Sequence, residues 1–146
     1  MITFHVEQLK GAMDDIRPLL ALHWTELALW TEDEFDPNWD LYIDNPLIRL
    51  YTVRDERELI GYSIWVVCQD RFAKSTITAQ EDAIYLMPQY RGTNVALRLV
   101  KWCENQLQTE GVHTVFHHMR AGDEFGRLLE SIGHKLVEQV YARRLR

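Results

Sequence analysis

Apolar and polar residues alternate at the start of the chain, with Ile2, Phe4 and Val6 set against Thr3, His5 and Glu7. A period of two marks a strand with one buried face. From Asp14 the period lengthens: Ile16, Leu19, Leu20, Leu27 and Trp30 fall at helical spacing, and Asp14 and Asp15 stand where negative charge favours a helix N-terminus. A first helix is therefore predicted from Asp14 to about Thr31. Residues 32–46 are acidic and aromatic, are broken by Asp36-Pro37 and Asn45-Pro46, and hold a short helix over 39–43; they read as a substrate-side excursion. Residues 47–53 and 59–68 are rich in β-branched and aromatic side chains and flank the charged run 54–58, which predicts a hairpin. After a polar loop at 71–75, residues 76–86 read as a fourth strand that stops against Pro88, a residue without a ladder donor.

The second half alternates helix and strand. Val95, Leu99, Trp102 and Leu107 outline one face of a helix over 95–108, which Gly111 ends. Residues 112–119 read as a fifth strand, Asp123 caps a short helix with Phe125, Leu128, Leu129 and Ile132 on one face, and Gly133 stops it. The tail 135–143 is expected to close with one or two strands. The order β-α-(α)-β-β-β-α-β-α-β, without repeat or linker, defines a mixed α/β (α+β) fold in a single domain spanning 1–146.

Composition narrows the function. With 47% hydrophobic and 26% charged residues, seven Gly and four Pro, the chain is globular, not collagen-like, low-complexity or disordered. A formal charge of −6 argues against a broad grip on phosphate backbones, so no nucleic-acid partner is expected, and it suits an amine-bearing one. The longest apolar run, 64–68, is far below the ~20 residues of a membrane helix. Residues 1–15 hold no apolar signal stretch, and Cys68 and Cys103 lack CxxC spacing. A cytoplasmic protein without disulfides or a membrane partner is the expectation.

The chemistry concentrates after the fourth strand. A strand, a breaker, a glycine turn and a helix start aim backbone N–H groups and the positive helix end at one point, a ready seat for a pyrophosphate. Gly92 allows close backbone approach, Arg91 brings positive charge, and Thr93 or Asn94 can cap the helix. The segment is neither GxGxxG nor a Walker loop. Residues Tyr85-Leu86-Met87-Pro88-Gln89-Tyr90-Arg91-Gly92-Thr93-Asn94-Val95-Ala96-Leu97-Arg98-Leu99 resemble the acyl-CoA loop of the GNAT N-acyltransferase superfamily, whose signature is Gln/Arg-x-x-Gly-x-Gly/Ala. Gln89 and Gly92 match its first two fixed positions, Asn94 stands where Gly or Ala is usual, and Ala96 falls where many members have a further small residue. Leu128-Leu129-Glu130-Ser131-Ile132-Gly133-His134 is similar to the family's "LYEKLGF" ending, and Leu22-His23-Trp24-Thr25-Glu26-Leu27-Ala28 resembles bacteriophage-encoded members.

The resemblance implies a central mixed, mostly antiparallel twisted sheet with helices on both faces, and transfer of an acetyl group from acetyl-CoA to an amine by direct attack in a ternary complex. It implies that the pyrophosphate sits on the amides of Arg91, Gly92, Thr93, Asn94, Val95 and Ala96, and that the pantetheine arm pairs with Leu86 and Met87. Main-chain groups near Leu86 and Met87 could also polarise the thioester carbonyl. The family's tyrosine acid is replaced by Leu129 and its asparagine by Gly122, leaving Tyr85, Tyr141, water or no acid at all.

An amine with a pKa of about 10 must lose a proton before it attacks. Glu81 and Asp82 are the candidate bases; adjacent on a strand, they face opposite sides unless a bulge intervenes, so one of the two is expected to act. His23 lies on an apolar stripe and reads as a core histidine with a backbone partner. His113 and His117 share one strand face without a third ligand, so no metal is expected. Trp24, Trp30, Phe35, Trp39 and Tyr42 pack helix one or wall an acceptor pocket, beside an acidic run that attracts cations; the terminal arginines read as solubilising. The acceptor is a small molecule or a protein, and a homodimer is compatible with the reading. Two rivals remain: a catalytically weak GNAT-fold binding module, and an enzyme modifying nucleotides or nucleic acid.

Overall fold

Strands β1 (Ile2–Glu7), β2 (Ile48–Asp55), β3 (Glu58–Gln69) and β4 (Ile77–Leu86) pair antiparallel in chain order, and β5 (Thr114–Phe116) joins β4 in parallel. The computed structural model describes residues 1–30 and 32–146. Helix α1 (Leu9–Leu27) covers one face of the sheet, α2 (Val95–Thr109) covers the other, and α3 (Phe125–Ser131) follows β5. This is the mixed, mostly antiparallel sheet with helices on both faces that the resemblance implies.

Helix α1 begins five residues before the predicted start. Leu9, Ala12, Ile16, Leu19 and His23 are buried at spacings of three and four, so the apolar stripe extends back through Leu9. Asp14 and Asp15 consequently lie inside the helix, not at its N-terminus; Asp15 accepts from Arg54 at 3.0 Å, and Arg54 also holds Glu7 at 2.9 Å, tying α1, β1 and β2 together. The predicted end at Thr31 falls outside the described residues. Inside 32–46 the expected short helix is a 3-10 turn, Trp39–Leu41.

Two further expectations are corrected. The fifth strand is three residues long, not 112–119, and reaches only Thr78, Ala79 and Gln80 of β4. The tail 135–146 forms no strand: Leu136, Val140 and Tyr141 are 74%, 87% and 88% exposed. A strand there needs a long edge to pair with, and β5 is too short to offer one.

Two cores result. On the α1 face Ile16, Leu50, Tyr62, Ile64 and Tyr85 meet; on the α2 face Val53, Ile60, Trp65, Leu99, Cys103 and Leu107 meet. Cys103 and the partly buried Cys68 are free thiols.

Candidate active site

One extra residue decides how β4 presents its carboxylates. Ile64 of β3 pairs with Ala83 and Trp65 with Glu81, so Asp82 has no partner across the ladder. A bulge of this kind re-aims the side chains around it. Before it, odd-numbered Ala79 faces α2; beyond it, even-numbered Ile84 and Leu86 do, and odd-numbered Ala83 and Tyr85 face α1.

Glu81 and Asp82 therefore part. Glu81 is 1% exposed and lies beneath α2, with Oε2 2.9 Å from His117 Nδ1 and with Oε1 unpartnered among the described residues. Asp82 is exposed, and its Oδ2 accepts from the Tyr42 hydroxyl at 2.6 Å, so the excursion 32–46 reaches the bulge. Burial pushes the Glu81 carboxyl up, against the pull of His117. Burial opposes the charge on His117, but hydrogen bonds to Glu104 and Glu81 outweigh it and raise the imidazole to about 9. Glu104, from α2, lies 2.8 Å from His117 Nε2 and 2.6 Å from His134 Nε2; burial works against its charge, yet the two histidines hold its carboxyl below the usual range. The His118 Nδ1–H donates to the Glu81 carbonyl at 2.8 Å.

Beyond the bulge β4 has an open edge. Met87 N–H donates to Ile60 C=O at 2.8 Å, so strand alternation turns the main-chain groups of Leu86 the other way, toward the edge that β5 leaves after pairing with Gln80. The Leu86 C=O accepts from Arg91 Nε at 2.7 Å. Of the main-chain donors expected for the pantetheine arm, Met87 N–H is engaged and Leu86 N–H faces the opening.

A 3-10 turn, Pro88–Tyr90, leads from that edge to Gly92, whose φ of +77° is the left-handed region that favours glycine. Thr93 caps the helix, its Oγ1 donating to Tyr90 C=O at 2.6 Å and accepting from Val95 N–H at 3.3 Å. Asn94 occupies the N-cap position without a side-chain bond, and its C=O takes Arg98 N–H at 3.0 Å. That is the first bond of the helix, so the N–H groups of Ala96 and Leu97 have no intrahelical acceptor. Arg91 does not aim its charge at this turn: its guanidinium lies 2.9 and 3.1 Å from the Glu26 carboxylate of α1 and 5.2 Å over the Tyr85 ring.

The remaining candidates sort by position. Leu129 is buried, Tyr85 is buried on the α1 face, and Tyr141 is exposed with its hydroxyl on Gln139. His23 is a core histidine, but its partner is the Tyr62 hydroxyl, 2.8 Å from Nδ1, and not a backbone group. His113 Nδ1 accepts from Ile77 N–H at 2.9 Å, which separates it from His117. Sequence reasoning did not single out Glu104 or His134; the one available signal is His134 standing where the family ending has Phe.

A mixed sheet whose fourth strand is bulged, loses its fifth-strand neighbour and turns at once into a helix N-terminus defines an acetyltransferase-type α/β protein. The sequence profile of the Acetyltransferase (GNAT) family matches residues 13–124, and the chain belongs to that family. None of the curated proteins matches the chain. Among solved structures it is similar to a ribosomal-protein-alanine N-acetyltransferase from Brucella melitensis biovar Abortus 2308, with 21% identity, 99% of both chains covered and a TM-score of 0.77. It is also similar to the aminoglycoside acetyltransferase AAC(6')-Iy bound to a CoA bisubstrate analogue, with 15% identity, 100% of this chain and 99% of that one covered, and a TM-score of 0.73. An aminoglycoside acetyltransferase from an uncultured soil metagenomic sample has 12% identity over 99% of this chain and 95% of its own, with a TM-score of 0.75. At these identities the likeness is one of fold.

Proposed function

We infer that this chain transfers an acetyl group from acetyl-CoA to an amine acceptor by direct attack within a ternary complex. The observation that carries the reading is the continuity from the bulge at Asp82, along the open edge at Leu86, to the free N–H groups at the start of α2. The amides of Gly92, Thr93, Asn94 and Ala96 supply the pyrophosphate seat by backbone geometry and helix charge, Arg91 N–H being held by Pro88 C=O and Val95 N–H by Thr93 Oγ1, and so do not depend on the Arg91 side chain. The Leu86 N–H on the open edge is a fixed donor for the thioester carbonyl.

Asp82 is the group we assign as base. It is exposed at the bulge and positioned by Tyr42, whereas Glu81 is buried and turned toward His117. The acceptor is a cationic amine, a small molecule or a protein segment, drawn by the acidic excursion that brings Tyr42 to Asp82. The leaving thiolate sits at the open edge and is reprotonated by water, since Leu129 cannot donate and Tyr141 is engaged elsewhere. Leu129 also favours a second reading, a binding module that holds coenzyme A without turnover.

Thermal unfolding with acetyl-CoA tests the reading. At ~100 times its dissociation constant the ligand adds about 2.7 kcal/mol of stability, and Gly92→Asp, which puts bulk and negative charge on the pyrophosphate seat, should abolish the shift. Coenzyme A release with a panel of amines separates enzyme from module. Binding without release leaves the module, and no shift at millimolar acetyl-CoA sinks both.

A further inference from the structure

Glu104 on α2, His117 at the end of β5 and His134 behind α3 come from separate elements, yet Glu104 and one ring nitrogen of each histidine offer ligand atoms within 4.8 Å of one another. The two imidazoles pose a problem of proton number. His117 turns Nδ1 to Glu81 Oε2 at 2.9 Å and Nε2 to Glu104 Oε2 at 2.8 Å. His134 turns Nδ1 to Leu129 C=O at 3.0 Å and Nε2 to the same Glu104 oxygen at 2.6 Å. All four ring nitrogens thus face acceptors. A His117 that donates from both nitrogens satisfies its two contacts, but a His134 with one N–H faces two acceptors. With that N–H on Leu129 C=O, the His134 Nε2 lone pair points at Glu104 Oε2 unless something positive lies there.

The surroundings suit a cation at that point. A metal-binding histidine usually donates its other N–H to a carboxylate or backbone carbonyl, which fixes ring and tautomer. Glu81 Oε2 and Leu129 C=O are those acceptors here. Two imidazoles and one carboxylate suit a Zn²⁺-type ion, whereas Mg²⁺ and Ca²⁺ take oxygen ligands. The His117 side chain is only 3% exposed, but Glu104 and His134, at 26% and 21%, leave a way in from solvent. Bonds of roughly 2.0–2.2 Å at tetrahedral angles separate ligand atoms by about 3.3 Å. The partly exposed Glu104 and His134 are the side chains that would turn to reach that spacing.

We propose that Glu104, His117 and His134 bind Zn²⁺, with the fourth position open to water, and that the ion ties the segment behind α3 to α2 and β5. The expectation of no metal came from pairing His117 with His113; the fold pairs it with His134 instead. The site is independent of acetyl-CoA binding, and its test uses no turnover.

The experiment titrates Zn²⁺ alone into the untagged full chain after dialysis against a chelator. One equivalent should bind and raise the thermal midpoint, Mg²⁺ should not reproduce the rise, and the zinc-edge absorption spectrum should show only nitrogen and oxygen neighbours. Glu104→Gln and His134→Gln, at partly exposed positions, should keep the native circular dichroism spectrum and lose roughly 100-fold or more in affinity, Glu81→Gln roughly 10–100-fold, and the distant His5→Gln nothing. Absence of stoichiometric binding by the folded chain, sulfur in the zinc shell, or affinity indifferent to Glu104→Gln and His134→Gln overturns the proposal. If either variant fails to fold, wild-type stoichiometry and the neighbour count still decide it.

Discussion

Asp82 and Glu81 are chemically near-equivalent, and what separates them is a single unpaired position in a ladder. Because Asp82 is the extra residue, it stands clear of β3 and meets Tyr42, while Glu81 keeps its register with Trp65 and is buried. A base must be open to whatever binds beside it and to solvent, and of the two carboxylates Asp82 is the exposed one. Asp82→Asn is therefore expected to lose about 10²–10⁴ in turnover near neutral pH, with a smaller loss at pH ~9.5, where more of the amine is already free. Acetyl-CoA affinity should be unchanged. Glu81→Gln should retain most of its turnover. Assays of both variants from pH ~6 to ~9.5 with one acceptor decide the matter; equal activity of Asp82→Asn and wild type at every pH refutes the assignment.

Strand pairing imposes a second requirement, at Gly61. A Cβ there would lie 2.6 Å from the Tyr85 carbonyl oxygen and 2.9 Å from Val53 Cγ1, and the first of these is backbone held in the β3–β4 ladder. Gly61→Ala should cost roughly 1–3 kcal/mol by overpacking, read as a drop in the urea midpoint at unchanged slope. The strand that needs this glycine was legible in the sequence, as were the hairpin, α2 and the loop through Gly92, because each shows its own period or breaker. The bulge was not. Its effect is a change of face after Asp82, and in sequence Ala79, Glu81, Ala83 and Tyr85 read as one continuous alternation. The start of α1 was masked by Asp14 and Asp15, whose charge looks like a helix terminus until Arg54 arrives from β2 to pair one of them. The tail had the right residues for a strand, but the three-residue β5 gives it little to pair with. Glu104 and His134 were invisible for a similar reason, since their neighbours lie 13 and 30 residues away in the chain.

On the scale of the molecule, a helix on each face gives the sheet two cores, and the α1 core contains a titratable group. His23 is 5% exposed, with Nδ1 2.8 Å from the Tyr62 hydroxyl and its ring 5.0 Å from that of Tyr85. The charges facing it are Glu26 on its own helix and Arg91 from the loop, which pair with each other. Burial lowers the imidazole to about 4, Glu26 opposing and Arg91 assisting. In the unfolded chain the value is about 6.5, so between these limits the unfolded state binds more protons than the folded one. The stability tied to a neutral His23 is present above the unfolded value and is lost as pH falls toward the folded one. The loss amounts to about 2 kcal/mol between pH ~7.5 and ~5. Glu7 and Asp55, held below the ordinary carboxylate range, add to it only at lower pH. Replacing His23 and Tyr62 together by Phe removes the titrating ring without leaving an orphaned hydroxyl. In urea unfolding the double variant should then lose about 2 kcal/mol less stability than wild type as pH falls from ~7.5 to ~5, the opposite contribution of His117 being common to both proteins, and an identical change in the two would mean that His23 is not buried in its neutral form.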